Sequence, residues 1–201
     1  LKFNQQGFIE DDPISIPHLF SCPRDIEIAA FFAASLAWGQ RKTIINKCKE
    51  LLVLMDNAPY DFIVNHSEHD LKPLMNFKHR TFNGTDTLYF VHFLNHTYRD
   101  FPSLEHAFTA SLKDTDVSVE NGLNAFRKMF MALPEFPGRC AKHVASPNKK
   151  SACKRLNMFL RWMVRKDDRG VDFGIWKGIS TRQLVCPCDV HVEKVARQLG
   201  L

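Results

Sequence analysis

Two short stretches place chemically capable side chains at the starts of helical patterns. The first, residues 146–165, reads SPNKKSACKRLNMFLRWMVR, a turn carrying Lys149, Lys150, Lys154 and Arg155 into a helix. Backbone N–H groups at a helix start point outward and the helix dipole favours negative charge there, so cations beside them make a seat for phosphate. The plain alternative is a solvated basic turn. The second stretch, PCDVHVEKVARQLG at 187–200, fixes the carboxylate of Asp189 at the start of a final helix. Taken alone, Asp189 is an N-cap contributing about 1 kcal/mol.

Other chemistry-bearing types are less well arranged. Cys186-Pro-Cys188-Asp-Val-His191 offers three local ligand types, but Cys-x-Cys is not a usual zinc spacing, so no metal and no cofactor is expected. His66, His69, His79, His92, His96 and His106 are scattered without a metal-binding period. Trp38, Trp162 and Trp176 could stack on a base, although large aromatics at helical positions usually belong to the core. Trp38 carries more weight because it stands two residues before Gln40. Lys78-His-Arg80 is a small basic cluster before a turn, read first as a solvated loop and, as the alternative, as a contact to backbone phosphate.

The elements that must hold these residues read as helices, because apolar residues recur at 3.6-residue spacing and period-2 alternation is scarce. Residues 1–24 look irregular, with Pro13, Pro17 and Pro23. Asp25 caps a helix through about Trp38 that is apolar nearly all round and therefore buried. Ile44, Cys48, Leu51, Leu52 and Met55 mark an amphipathic helix ended by Asn57 and Pro59. Residues 60–85 look polar and broken, and Asn83-Gly84 is a turn that could close a hairpin. Helical patterns return at 86–98, at 103–112, from Val119 to Leu133, and from Ser151 to Arg165. Residues 166–174 form a charged loop, Ser180 caps a short turn at 181–185, and the helix after Asp189 closes at Gly200. The expectation is an all-α chain of some eight helices.

Three of these segments carry a family resemblance. Asp189-Val-His191 with Val195, Arg197 and Leu199-Gly200 resembles the VDTH…RV…RLGL segment of the helix-hairpin-helix (HhH-GPD) DNA glycosylases. Residues 154–160, KRLNMFL, are similar to KTANVVL at the second hairpin helix of that family, and residues 34–40, ASLAWGQ, resemble its LLSAQ stretch. The run SACKRLNMFLRWMVR also resembles an uncharacterised bacterial family of unknown function that is remotely related to these glycosylases. The resemblance spans residues 25–201. It implies a bilobal helical fold with a cleft between lobes that takes a flipped, damaged base from duplex DNA. The terminal segments would pair in one lobe and the middle helices would form the other, all within one domain over 1–201 that looks trimmed at both ends.

By the same resemblance, Lys154 falls on the lysine nucleophile of the bifunctional members and Asp189 on the catalytic aspartate. Gln40 falls on the residue inserted near the vacated base; with Lys149, Lys150, Ser151 and Arg155 it would contact DNA, and Trp38 and Trp162 would border the substrate pocket. The implied activity is a base-excision N-glycosylase with a lyase step. The neutral lysine amine attacks the anomeric carbon and expels the base, and the carboxylate stabilises the cationic sugar. Two features depart from the family pattern. Its glycine-rich LPGVG hairpin is replaced by Pro147-Asn-Lys-Lys-Ser151, and Lys154 and Asp189 are 189 − 154 = 35 positions apart, well above the separation in endonuclease III. The four clustered cysteines of an iron–sulfur cluster are not seen.

Composition sets the outer bounds. The chain has 201 residues, 45% hydrophobic, with 17 Phe against 3 Tyr and 3 Trp, which argues for a sizeable core and against disorder. A formal net charge of +5 permits a polyanionic partner without requiring one. The six cysteines in so core-rich a chain read as free thiols in a reducing compartment. No apolar run approaches a membrane span. The expected setting is a monomer in the bacterial cytoplasm near the nucleoid, bound to duplex DNA. Two alternatives stay open: a DNA-binding module of the same fold without catalysis, and a helical interaction protein with no nucleic-acid role.

Overall fold

The structure is a computed structural model that describes residues 4–186 and 190–200. Its α-helices are α1 (Pro23–Ser35), α2 (Arg41–Val53), α3 (Pro59–Asn65), α4 (Glu68–Leu71), α5 (Gly84–Asp100), α6 (Glu105–Thr109), α7 (Glu120–Phe130), α8 (Lys154–Val164) and α9 (Val190–Gln198). Single 3-10 turns connect many of them, and the described residues contain no β-strand, only an isolated antiparallel bridge between His79 and Phe82. The chain is all-α. No described helix is long and apolar enough to cross a membrane.

Helix α1 occupies the centre because nearly every side of it is apolar. Residues 26–35 are all buried, and α2, α3, α8 and the 3-10 turns Pro13–Ser15 and Pro17–Leu19 pack around them. Phe31 of α1 stacks on Phe90 of α5 at 5.4 Å and meets Phe126 of α7 and Phe159 of α8 edge-on at 5.7 and 5.6 Å. Phe108 of α6 stacks on Phe126 at 4.0 Å. Each buried Phe contributes about 1.5–3 kcal/mol of transfer free energy, so this aromatic knot joins five helices into one continuous core.

Glu27 is the buried charged residue of α1. It is 3% exposed, and its carboxylate accepts bonds from Tyr98 Oη (2.8 Å), Ser103 Oγ (2.6 Å), the Leu104 backbone N–H (3.0 Å) and Trp176 Nε1 (2.7 Å). Burial, with the Glu27 carboxylate adding to it, raises the Tyr98 phenol pKa well above its ordinary value, which keeps that donor protonated.

Several local expectations change. Helix α1 begins at Pro23 with Cys22 as its N-cap and ends at Ser35; Asp25 instead accepts the Tyr60 N–H at 2.8 Å, tying α1 to α3. Within the stretch expected to be irregular, described residues 4–24 form three 3-10 turns and put Ile14 and Ile16 in the core. The stretch 60–85 holds α3, α4 and a 3-10 turn, because Pro59 starts a helix from its N1 position and Ser67 with Asp70 forms a capping box. Asn83-Gly84 makes no hairpin: Asn83 caps α5 in a capping box with Asp86. Gly84 is needed because a Cβ there would stand 2.0 Å from the Met75 carbonyl oxygen. Helix α6 is a short Glu105–Thr109 rather than the full 103–112. Ser180 does cap the turn Thr181–Gln183, in a capping box with Gln183.

Candidate active site

The turn into α8 is held from below by α7. Asn124 of α7 accepts from Ser146 Oγ at 2.8 Å and from the Asn148 N–H at 3.1 Å, which pins the 3-10 turn Pro147–Lys149. With no glycine available, the chain reverses through left-handed conformations at Lys150 (φ 55°) and Cys153 (φ 49°), each costing strain that the surroundings must hold. Cys153 is therefore the buried N-cap of α8 rather than a residue within the helix. Asn157 closes the turn from the helix side: its N–H bonds to the Cys153 carbonyl at 2.8 Å and its Nδ2 donates to the Ala152 carbonyl at 3.0 Å. The Asn157 Oδ1 is buried with no hydrogen-bond partner.

Lys154 is the first residue of α8 and is exposed. It borders a cavity of about 480 Å³ lined also by Asn157, Met158, Arg161, Arg165, Leu184, Val185 and Cys186. Asn157 and Met158 lie three and four residues after Lys154, Arg161 one turn further, and Arg165 at the C-cap, so one face of α8 and its end supply that wall. The opposite wall comes from the segment after the Thr181–Gln183 turn. Met158, Leu184 and Val185 make the cavity partly apolar, while Lys154, Arg161 and Arg165 put cations at its edge. Both arginines are anchored on one buried carboxylate. Arg161 Nε and Nη2 reach Asp172 at 3.2 Å, and Arg165 Nε also bonds Asp172, while its Nη2 donates to Asn4 Oδ1 at 2.8 Å. A pocket of this size, apolar with a few convergent polar groups, suits a small organic ligand.

The other sequence-predicted residues divide among several places. Lys149, Lys150 and Ser151 are exposed on the turn beside Lys154. Arg155 points the other way: its guanidinium donates to the carbonyls of Ser35 and His143 and lies 4.8 Å over the Trp38 ring. Burial lowers the Arg155 pKa from its ordinary value, and the group acts here as a brace between α1 and α8. Trp38 is half-buried and also stacks near-parallel on His143 at 5.8 Å. Gln40 is exposed at the start of α2, joined to the α8 turn through Trp38. Trp162 is 2% exposed, belongs to the hydrophobic core and does not line the cavity. Asp189, with Pro187 and Cys188, lies outside the described residues.

A second polar cluster, not anticipated from sequence, adjoins Trp38. Asp86 is fully buried. Its carboxylate accepts from the Asn83 N–H (2.9 Å) and Cys140 Sγ (3.0 Å), pairs with Arg139 Nη2 (3.1 Å), and stands 3.3 Å from His143 Nε2. That last approach is an ion-pair distance only, since the His143 Nε2 has no hydrogen bond of acceptable geometry. Burial lowers the His143 pKa, with Asp86 opposing, and burial together with the Asp86 hydrogen bond pushes the Cys140 thiol up to about 12. The sequence signal was the Asn83–Asp86 spacing of a capping box. Cys22, Cys48, Cys140, Cys153 and Cys186 are all free thiols. No group of three His, Cys, Asp or Glu side chains is arranged to hold a metal ion among the described residues.

A family model described as "Protein of unknown function (DUF2400)" matches residues 12–201. The chain belongs to this family, as the Ser151–Arg165 run led one to expect. No curated protein and no solved structure matches it.

Proposed function

We propose that this chain is a DNA base-excision enzyme, an N-glycosylase with a lyase step, acting on a damaged base extruded from duplex DNA. The observation that carries the reading is the position of Lys154: the first residue of α8, beside a cation-rich turn, on the rim of a partly apolar cavity of about 480 Å³. Cys186 lines the same cavity, and Asp189 follows it by three residues in the sequence. In this reading the helices form a bilobal frame and the cavity opens into the cleft that takes the base.

Exposed Lys149 and Lys150 seat the phosphate backbone. The neutral Nζ of Lys154 attacks C1′ of the sugar; the C1′–N bond breaks, its electron pair leaves with the base, and the base takes up a proton. Opening of the sugar ring leaves a Schiff base on Lys154. Loss of a C2′ proton then expels the 3′ phosphate and cuts the strand. The carboxylate of Asp189 stabilises the sugar cation and shuttles the proton.

End-labelled duplexes carrying uracil, hypoxanthine, 8-oxoguanine or thymine glycol test the scheme. At least one should be cut by the wild-type chain without added base treatment. Lys154→Ala should lose that cut while still binding the duplex. No cleavage and no base release from any lesion would defeat the assignment.

A further inference from the structure

We propose that the tight turn at residues 78–81 is a second duplex-phosphate contact, with Arg80 as the contacting side chain. The proposal rests on the DNA-binding part of the reading above and adds to it the Lys78-His-Arg80 cluster, for which the sequence favours a solvated loop over a phosphate contact. Arg80 is exposed and left-handed, at φ 54°, a conformation costly for a long side chain. The surroundings hold it there from three directions. His79 and Phe82 exchange backbone bonds, each 2.9 Å, closing the turn. Arg139 Nη2 donates to the Thr81 carbonyl at 3.0 Å and is itself held by the buried Asp86. The His79 ring lies at 3.3 Å from the Trp38 carbonyl and 5.3 Å from the Trp38 ring.

This scaffolding fixes the backbone from which the exposed Arg80 side chain leaves. The Arg80 side chain lies across Gly39, where an added Cβ would meet its Nη1 at 3.0 Å; Gly39 itself needs its φ of 110° to turn the chain there. Gln40 is the next residue. On the other side of the same short turn, Trp38 carries the Arg155 brace from α8. The segments 38–40, 78–81 and 146–155 therefore meet around one tryptophan. Lys78, Arg80, Arg139 and Lys142 are exposed on or beside the 78–81 turn, while the carboxylate paired with Arg139 is fully buried. A strained backbone that presents an exposed cation beside Lys78, Arg139 and Lys142 fits a polyanion. Duplex phosphates supply such charge, and a guanidinium matches phosphate oxygens in a two-pronged geometry.

The test is the salt dependence of binding to an undamaged 20-base-pair duplex, followed by fluorescence anisotropy with the full chain. Arg80→Asn removes the charge, while asparagine accepts a left-handed backbone. It should weaken binding roughly tenfold at low salt and reduce the slope of log K against log salt by about one. Arg99→Asn, which removes an exposed charge at the end of α5, should leave the slope unchanged. Arg80→Lys should keep it. If Arg80→Asn and Arg99→Asn behave alike while the wild type binds with a steep slope, the turn is not a contact and only this inference fails. If the wild type itself shows no salt-dependent binding, both this inference and DNA binding as such fall.

Discussion

Three carboxylates are buried among the described residues, Glu27, Asp86 and Asp172, and the first two are treated differently. Glu27, in the middle of α1, accepts only from neutral donors: a phenol, a hydroxyl, a backbone amide and an indole, drawn from three distant segments. Asp86, at the start of α5, is met by a backbone amide, a thiol, an exposed guanidinium and a histidine ring. The first arrangement is closed and faces the aromatic core. The second stands one layer beneath the surface turn that presents Arg80, and it includes groups that change charge. Glu27 thus holds elements together, whereas Asp86 holds a surface in shape.

The sharpest break of that comparison is Glu27→Ala. Four buried donors would lose their acceptor at a cost of about 1–3 kcal/mol each, not fully additive, so a total loss near 4 kcal/mol is expected. That is a large part of an ordinary domain's stability and should appear as a much lower urea midpoint. Asp86→Asn should cost less, about 2 kcal/mol, because Arg139 can turn to water. Its signature is local: amide exchange should quicken at His79 and Phe82 while the interior of α1 stays protected. Equal global losses with no local change would erase the distinction.

The smallest effect expected is on pH dependence. Burial lowers the pKa of His143 and of His79 from their ordinary value of 6.5. The unfolded chain then binds more protons than the folded one below that value, so stability is complete above about pH 6.5 and declines as pH falls toward the lowered values. Urea midpoints at pH 7.5 and pH 5.5 should differ in that direction. Because Asp86 pushes the His143 pKa up, Asp86→Asn should deepen the acid loss, and a His143→Phe variant should reduce it. A midpoint that rises on acidification would contradict the burial of both rings.

Much of the helical frame was readable because it depends on local period: α1, α2, α5, α7 and α8 all show their apolar faces. What was missed depends on neighbours distant in the chain. The stretch 60–85 looked broken because its helices are short and polar, and their burial comes through Phe62, Ile63, Leu74, Phe77 and Phe82, which dock on other elements. A lone Glu in an otherwise apolar helix was the available sign that Glu27 is a satisfied core group. Lys154 at a helix start was legible from the basic turn before it. Its cavity was not, since the opposite wall at 184–186 arrives some thirty residues later through tertiary packing. Trp162 and Arg155 illustrate the limit: one helix carries Lys154 on its rim and also sends Trp162 to the core and Arg155 to a brace.

The central claim is that the Lys154 amine bonds covalently to a sugar carbon of damaged DNA. Borohydride added during turnover on the cleaved duplex should freeze that bond, and peptide mapping by mass spectrometry should place the sugar remnant on Lys154. A remnant on Lys149 or Lys150, or none from a duplex whose base has been released, would contradict it.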